Sequence, residues 1–185
     1  MTKPCFDDNK GNPIAIIEIL GSKKNGIAGG LYGYGRGRFH DGVDFKAPIG
    51  TPIYSIFTGV VGKAVNSHIQ GEDWADVENW NYDKKGAGNR IYINSNINGN
   101  TIQFGYWHMT HIAMNPATGK AYKTGDQVNQ GSIIGFVGTT GNANSNSSAG
   151  SHLHLRGRIN GQKTDPLVYI FSEIDLTNGK GVPRN

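Results

Sequence analysis

R-I-Y-I-N-S-N-I-N-G-N-T-I-Q-F-G-Y-W, from Arg90 to Trp107, is the stretch on which the fold turns. Arg90-Ile91-Tyr92-Ile93-Asn94 and Thr101-Ile102-Gln103-Phe104-Gly105-Tyr106-Trp107 set β-branched and aromatic residues among polar ones, a pattern that fits a pleated, half-buried surface. Asn98-Gly99 between them is the pair that tolerates the left-handed dihedrals of a two-residue hairpin turn. The expectation is a tight antiparallel hairpin.

Working outward, Pro52 to Val65 alternates β-formers with small residues and reads as one or two strands bent near Gly59 and Gly62. On the other side, Gly131 to Val137 reads as a strand ending in Gly138-Thr139-Thr140-Gly141. The Asn/Ser-rich segment Asn142 to Ser151 then reads as a surface loop. His152 to Ile159 is the last clear strand, closed by the turn Asn160-Gly161 and followed by Asp165-Pro166-Leu167. Near the start, Pro13 to Leu20 is a short strand-like run closed by Gly21. Gly26 to Arg38 carries glycines at 26, 29, 30, 33, 35 and 37 around Tyr32 and Tyr34, a loop whose backbone needs unusual dihedrals or close approach. Residues 66–88 form a long polar insertion holding Trp74, Trp80 and Tyr82, readable either as loop packing or as groove lining. No stretch of twelve residues shows a 3.6 period, so the fold class is all-β, without internal repeats.

Composition agrees with this and narrows function. The 185 residues suit one domain rather than two. Glycine supplies 28 of them, twice its usual share of ~7%, and charged residues only 17%. No apolar run approaches the ~20 residues of a membrane helix, which argues against membrane insertion. The net charge of +4 mildly favours an anionic partner. The basic residues are scattered, apart from Arg36-Gly37-Arg38 and Arg156-Gly157-Arg158, and lack the aromatic interleaving of nucleic-acid modules. Cys5, the single cysteine, excludes an internal disulfide. Met1 to Pro13 has no apolar leader core, so export is expected by another route or after removal of a leader.

Of the six histidines, His40, His152 and His154 stand in suggestive company. In H-D-G-V-D, His40 and Asp44 are four apart and share one face of an extended segment, with Gly42 clearing that face and Asp41 pointing the opposite way. In H-L-H, His152 and His154 point the same way and Leu153 the other. Tyr106 and His108 share parity. Arg156 and Arg158 fall on the ligand face of their strand, as surface charges, as groups that brace the ligands, or as contacts for a substrate carboxylate. Two imidazoles and a carboxylate suit zinc, and a three-ligand site leaves a position for water. His68 and His111 read as solvated.

Four separated motifs carry a family resemblance: F-H-D-G-V-D-F-K-A-P-I-G-T-P-I-Y (Phe39 to Tyr54), Y-W-H-M (Tyr106 to Met109), I-I-G-F-V-G-T-T-G (Ile133 to Gly141) and S-H-L-H-L-R-G-R-I-N-G (Ser151 to Gly161) with its D-P-L. Together they resemble the lysostaphin-type, or LytM-like, zinc endopeptidases of bacterial cell walls, over roughly residues 27–170. The resemblance implies an antiparallel β domain with a loop-walled groove and few short helices. It implies Zn2+ held by His40, Asp44 and His154, with His108 and His152 as the two non-ligand histidines of the active site, and hydrolysis of peptide bonds in peptidoglycan stems or cross-bridges. Zinc lowers the pKa of a bound water from ~15.7 towards ~7 and polarises the scissile carbonyl. His108 is assigned as base, His152 as the group that orients water or stabilises charge, and Tyr34 as an oxyanion donor by its likeness to a tyrosine of some relatives.

Residues 1–26 are then an N-terminal segment packing on or leading into the domain, 27–170 the metallopeptidase domain, and 171–185 a C-terminal tail. Periplasm or extracellular wall is the expected place of action. A toxin module delivered into rival bacteria, matched by an immunity protein, has the same chemistry. The alternative from another class is a degenerate LytM-like domain that activates a separate amidase without cutting; such domains lose ligands, whereas all five residues are present here.

Overall fold

The computed structural model describes residues 30–34, 38–67, 86–143 and 151–169, together with the backbone of five short strands, Ile17–Glu18, Lys23–Lys24, Ile27–Ala28, Phe171–Asp175 and Lys180–Pro183. Nine strands form the principal antiparallel sheet: β1 (Val43–Lys46), β2 (Pro52–Tyr54), β3 (Gly59–Val65), β4 (Asn89–Ile97), β5 (Asn100–Ile112), β6 (Gln127–Val128), β7 (Ile133–Val137), β8 (His152–Ile159) and β9 (Gln162–Thr164). Among the described residues the only helical turns are two short 3-10 segments, Gly141–Ala143 and Pro166–Tyr169, so the all-β expectation holds.

β4 and β5 form the expected hairpin, and Asn98 and Gly99 take φ of 50° and 79° at its tip. Both values are positive, the turn whose twist matches the flanking strands. Asn160 and Gly161 repeat the device between β8 and β9. Pro52 to Val65 resolves into β2 and β3, with a register shift between Val61 and Lys63, at Gly62. Ala113 to Lys123 leaves the sheet as a small loop in which Met114–Asn115 pairs with Lys120–Ala121.

The sheet runs β6-β3-β4-β5-β7-β2, and β5 is the strand that forks it. One edge of β5 pairs with β4 from Asn100 to Met109. The other is shared: β8 occupies it from Ile102 to Trp107 and β7 from Met109 to Ile112. β8 in turn carries β1 on its far edge, in the register His154 to Asp44, and β9 beyond.

One face of this assembly is the core. Val43, Phe45, Leu153, Leu155, Phe104 and Tyr106 are fully or almost fully buried there, each contributing roughly 1.5–3 kcal/mol by leaving water. The Tyr106 hydroxyl, at the bottom of that core, accepts a hydrogen bond from the Ile56 N–H at 3.1 Å. Alternation along β1 and β8 therefore turns Asp44, His152 and His154 to the opposite face.

The backbone of Ile17–Glu18 pairs with Lys180–Pro183, which pairs with Phe171–Asp175. The two ends of the described chain thus share a three-stranded sheet.

Candidate metal centre and active site

Three ligand atoms converge where β1 meets β8. His154 Nδ1 lies 2.7 Å from Asp44 Oδ1 and 3.2 Å from His40 Nε2, and His40 Nε2 lies 3.3 Å from Asp44 Oδ1. All three residues are buried. His40 is brought in by a backbone bridge, Gly33 N–H to His40 carbonyl at 2.9 Å and its reciprocal at 2.8 Å. Its Nδ1 faces the Leu31 carbonyl at 2.9 Å. A carbonyl only accepts, so Nδ1 carries the proton and Nε2 turns its lone pair inward.

Two nitrogens and a carboxylate oxygen at these separations fit a metal. Ligands about 2.0–2.1 Å from zinc, at tetrahedral angles, stand roughly 3.3 Å apart, as two of the three pairs do. Burial alone would raise the Asp44 carboxyl, but the hydrogen bond from His154 Nδ1 and the neighbouring His40 and His152 rings hold it well below the usual carboxylate range. It is therefore ionised and ready to ligate. His154 is lowered by burial against the opposing pull of Asp44, which keeps it neutral.

Gly42 makes room for this cluster. A Cβ there would stand 2.5 Å from the Leu155 carbonyl oxygen and 2.6 Å from His154 Nε2. We expect Gly42→Ala to displace the His154 ring and weaken zinc binding roughly 10- to 100-fold, as loss of a ligand's support does; competition against a chromophoric chelator measures it.

Beside the cluster stand the other two histidines. His152 Nε2 is 3.7 Å from Asp44 Oδ1, and its ring centroid is 5.0 Å from that of His108. His108 sits at the fork of the sheet, after β8 leaves β5 and before β7 joins. There Trp107 and His108 oppose the single residue Arg90, between the pairs Ile91 to Tyr106 and Asn89 to Met109. This is a β-bulge, and His108 absorbs it with φ of 63° while its N–H bonds the Ala87 carbonyl at 3.0 Å. The bulge corrects the parity reading: Tyr106 faces the core, whereas His108 is turned to the face of Trp107 and His154. His108 Nδ1 lies 2.8 Å from the Thr140 carbonyl, so its proton is held there and Nε2 keeps its lone pair. Burial pushes His108 well below the usual imidazole range, and His152 and His154 add to the shift.

This has a consequence for the zinc-free protein. A buried imidazole shifted down from about 6.5 gains its proton first in the unfolded chain, so its stabilising contribution is complete above that pH and lost as pH falls. Asp44, shifted down from about 3.9, adds a further loss in stronger acid. Urea unfolding is expected to give a plateau above about pH 6.5 and decline below it, with His108→Leu declining less; equal profiles for the two proteins would refute a neutral buried His108.

A groove of about 400 Å³ joins these groups, and Arg38, Phe39, Asp41, Trp107, Asn142 and Ala143 complete its walls. Asp41 is a second correction. It lines the groove instead of pointing away, because residues 40–42 precede β1 and do not follow its alternation. Arg156 binds it and lies over the Trp107 ring, 4.6 Å from the centroid. Arg158 instead donates to the Gly161 carbonyl of its own turn at 2.9 Å. Tyr34 is 75% exposed and packs edge-on against Phe39 at 5.2 Å, outside the residues that line the groove. His111 is exposed beside Phe136, away from the groove. His68, Trp74, Trp80 and Tyr82 lie outside the described residues.

The sheet thus carries a buried two-histidine, one-carboxylate donor set of the kind that can hold a metal ion with a coordination position left open. Residues 38–166 match the model of Peptidase family M23, and the chain belongs to that family. It is 32% identical over 140 residues to the DD-carboxypeptidase/endopeptidase Mpg of Neisseria meningitidis, covering 76% of this chain and 25% of that protein. It is 32% identical over 158 residues to lysostaphin of Staphylococcus simulans, covering 83% and 26%. The chain thus spans about a quarter of the length of these curated relatives. Among solved structures, a point mutant of the catalytic domain of the prophage-encoded M23 protein EnpA from Enterococcus faecalis superposes with a TM-score of 0.51 at 28% identity, covering 89% of this chain and 95% of that one.

Proposed function

We propose that the chain is a zinc-dependent endopeptidase that hydrolyses peptide bonds of bacterial peptidoglycan, in the stem peptide or a cross-bridge, and acts in the periplasm or extracellular wall. One observation carries the reading: a complete donor set, His40, Asp44 and His154, shares one groove with two further buried imidazoles. The activities of relatives support it, since Mpg is a DD-carboxypeptidase/endopeptidase and ShyC of Vibrio cholerae, 29% identical over 146 residues with 79% of this chain and 26% of ShyC covered, is a peptidoglycan DD-endopeptidase.

Zinc bound by these three residues supplies a water acidified towards neutrality and a Lewis acid for the scissile carbonyl. The chain does the rest. His108, with Nδ1–H tied to Thr140, collects the proton of the attacking water on Nε2 and returns it to the leaving amine. His152, between Asp44 and His108, orients that water and faces the developing charge. Tyr34, at the rim beside the groove-lining Phe39, is the candidate second donor to the oxyanion once substrate fills the groove. Trp107 and Phe39 offer aromatic surface to the peptide.

Digestion of purified sacculi from several wall chemotypes, with and without chelator and read by mass spectrometry, tests the proposal. Chelator-sensitive peptide fragments are the expected result and name the bond. Stoichiometric zinc without fragments from any wall would instead make the domain a binding or amidase-activating module.

A further inference from the structure

His154 has two ring nitrogens, and the cluster uses one. Nδ1 faces Asp44 and His40 at 2.7 and 3.2 Å. Nε2 is buried and has no hydrogen-bond partner among the described residues, in a side chain only 7% exposed. An imidazole that gives its Nδ1 lone pair to a metal carries its proton on Nε2, and a buried N–H without an acceptor is unfavourable. An acceptor stands ready: Asp41 Oδ1 is 3.9 Å away.

The rest of Asp41 is anchored. Its Oδ2 accepts from Arg156 Nη2 and lies 3.3 Å from Lys163 Nζ. Both cations are themselves seated, Arg156 over the Trp107 ring and Lys163 with Nζ 5.3 Å from the Phe39 ring centroid. Arg156 is two residues beyond His154 on β8, and Lys163 lies on β9, paired to Arg158. The carboxylate is therefore tethered to the strand that carries the imidazole it faces. With one oxygen held by two cations, the other is left to close about an ångström onto Nε2, reaching normal hydrogen-bond length.

We infer that Asp41 is a positioning residue for His154, accepting its Nε2–H when Nδ1 is engaged by metal, with Arg156 and Lys163 fixing the carboxylate. This rests on the zinc reading proposed above. Arg156 is thereby committed to the protein's own carboxylate and is not a clamp for a substrate carboxylate. Such outer partners fix a ligand's tautomer and ring orientation.

Zinc affinity of the metal-free protein, measured by competition with a chromophoric chelator, tests this without reference to turnover. Asp41→Ala is expected to bind zinc roughly 10- to 100-fold more weakly. Asp41→Asn retains an oxygen acceptor while losing the ion pair with Arg156, so it should recover most of that affinity while its Tm falls as far as that of Asp41→Ala. Equal affinities for the two variants, or Asp41→Ala binding like the wild type, would overturn the inference. If only the ion pair mattered, Arg156→Ala would weaken zinc as much as Asp41→Ala does; we expect it to weaken zinc less. Wild type and His40→Ala are measured first: one zinc bound by the former and lost in the latter upholds the underlying site, and any other result overturns that site before the Asp41 variants are compared.

Discussion

His108→Ala is expected to lower kcat roughly 10²- to 10⁴-fold, the span general-base catalysis supplies, while the protein still binds one zinc ion. Two features separate these outcomes. His108 contributes no atom to the His40, Asp44 and His154 cluster, so deleting its imidazole leaves the donor atoms in place. Its ring nevertheless lines the same groove, with Nδ1 fixed by Thr140 and Nε2 the remaining site for a proton. Burial keeps the imidazole neutral, the form a base must have. The positive φ at this position suits histidine better than alanine, so the Tm of the variant is read beside its kcat. Wild-type turnover in the variant would remove His108 from the mechanism; loss of zinc would make it a structural support of the centre.

Chelation should produce the second large effect, on stability as well as on activity. A metal that binds only the folded chain stabilises it by about 4 kcal/mol at a thousandfold excess over Kd. For a chain of this length each kcal/mol shifts Tm by about 2–4 °C, so removing zinc is expected to lower Tm by roughly 8–16 °C and to abolish hydrolysis. Asp44→Ala breaks the donor set at its most buried member, 3% exposed, and its Tm should no longer respond to zinc or chelator. A variant that melts higher with zinc would show that other residues hold the ion.

Much of this architecture is written locally. Asn98-Gly99 and Asn160-Gly161 announce their turns because their positive dihedrals are properties of single residues. His40 with Asp44, and His152 with His154, are legible because alternation along a strand is a two-residue rule. The rule fails where the chain is not a regular strand. At His108 the bulge falls where β5 changes partner from β8 to β7, and the nearest paired residues of those strands lie 47 positions (Trp107 to His154) and 28 positions (Met109 to Val137) further along. At Asp41 the chain has not yet entered β1. The carbonyls of Leu31 and Thr140, which set the tautomers of His40 and His108, belong to the backbone and leave no residue-type signal. Trp107 stood inside the motif Y-W-H-M, but its partnership with Arg156 depends on the pairing of β5 with β8.

That pairing also imposes an order in time. His40 and His154 are 114 positions apart, and Asp44 joins the sheet only through β8. A growing chain that has produced His40, Asp44 and even the whole of β5 owns two loose donors and, at His108, an imidazole with no donor cluster beside it. Only when His154 has been synthesised and β8 has docked do the donors meet, because a contact of such sequence separation forms after the local hairpins. With zinc bound as proposed above, the nascent polypeptide is inert by topology until then, and metal capture would report that β8 has docked.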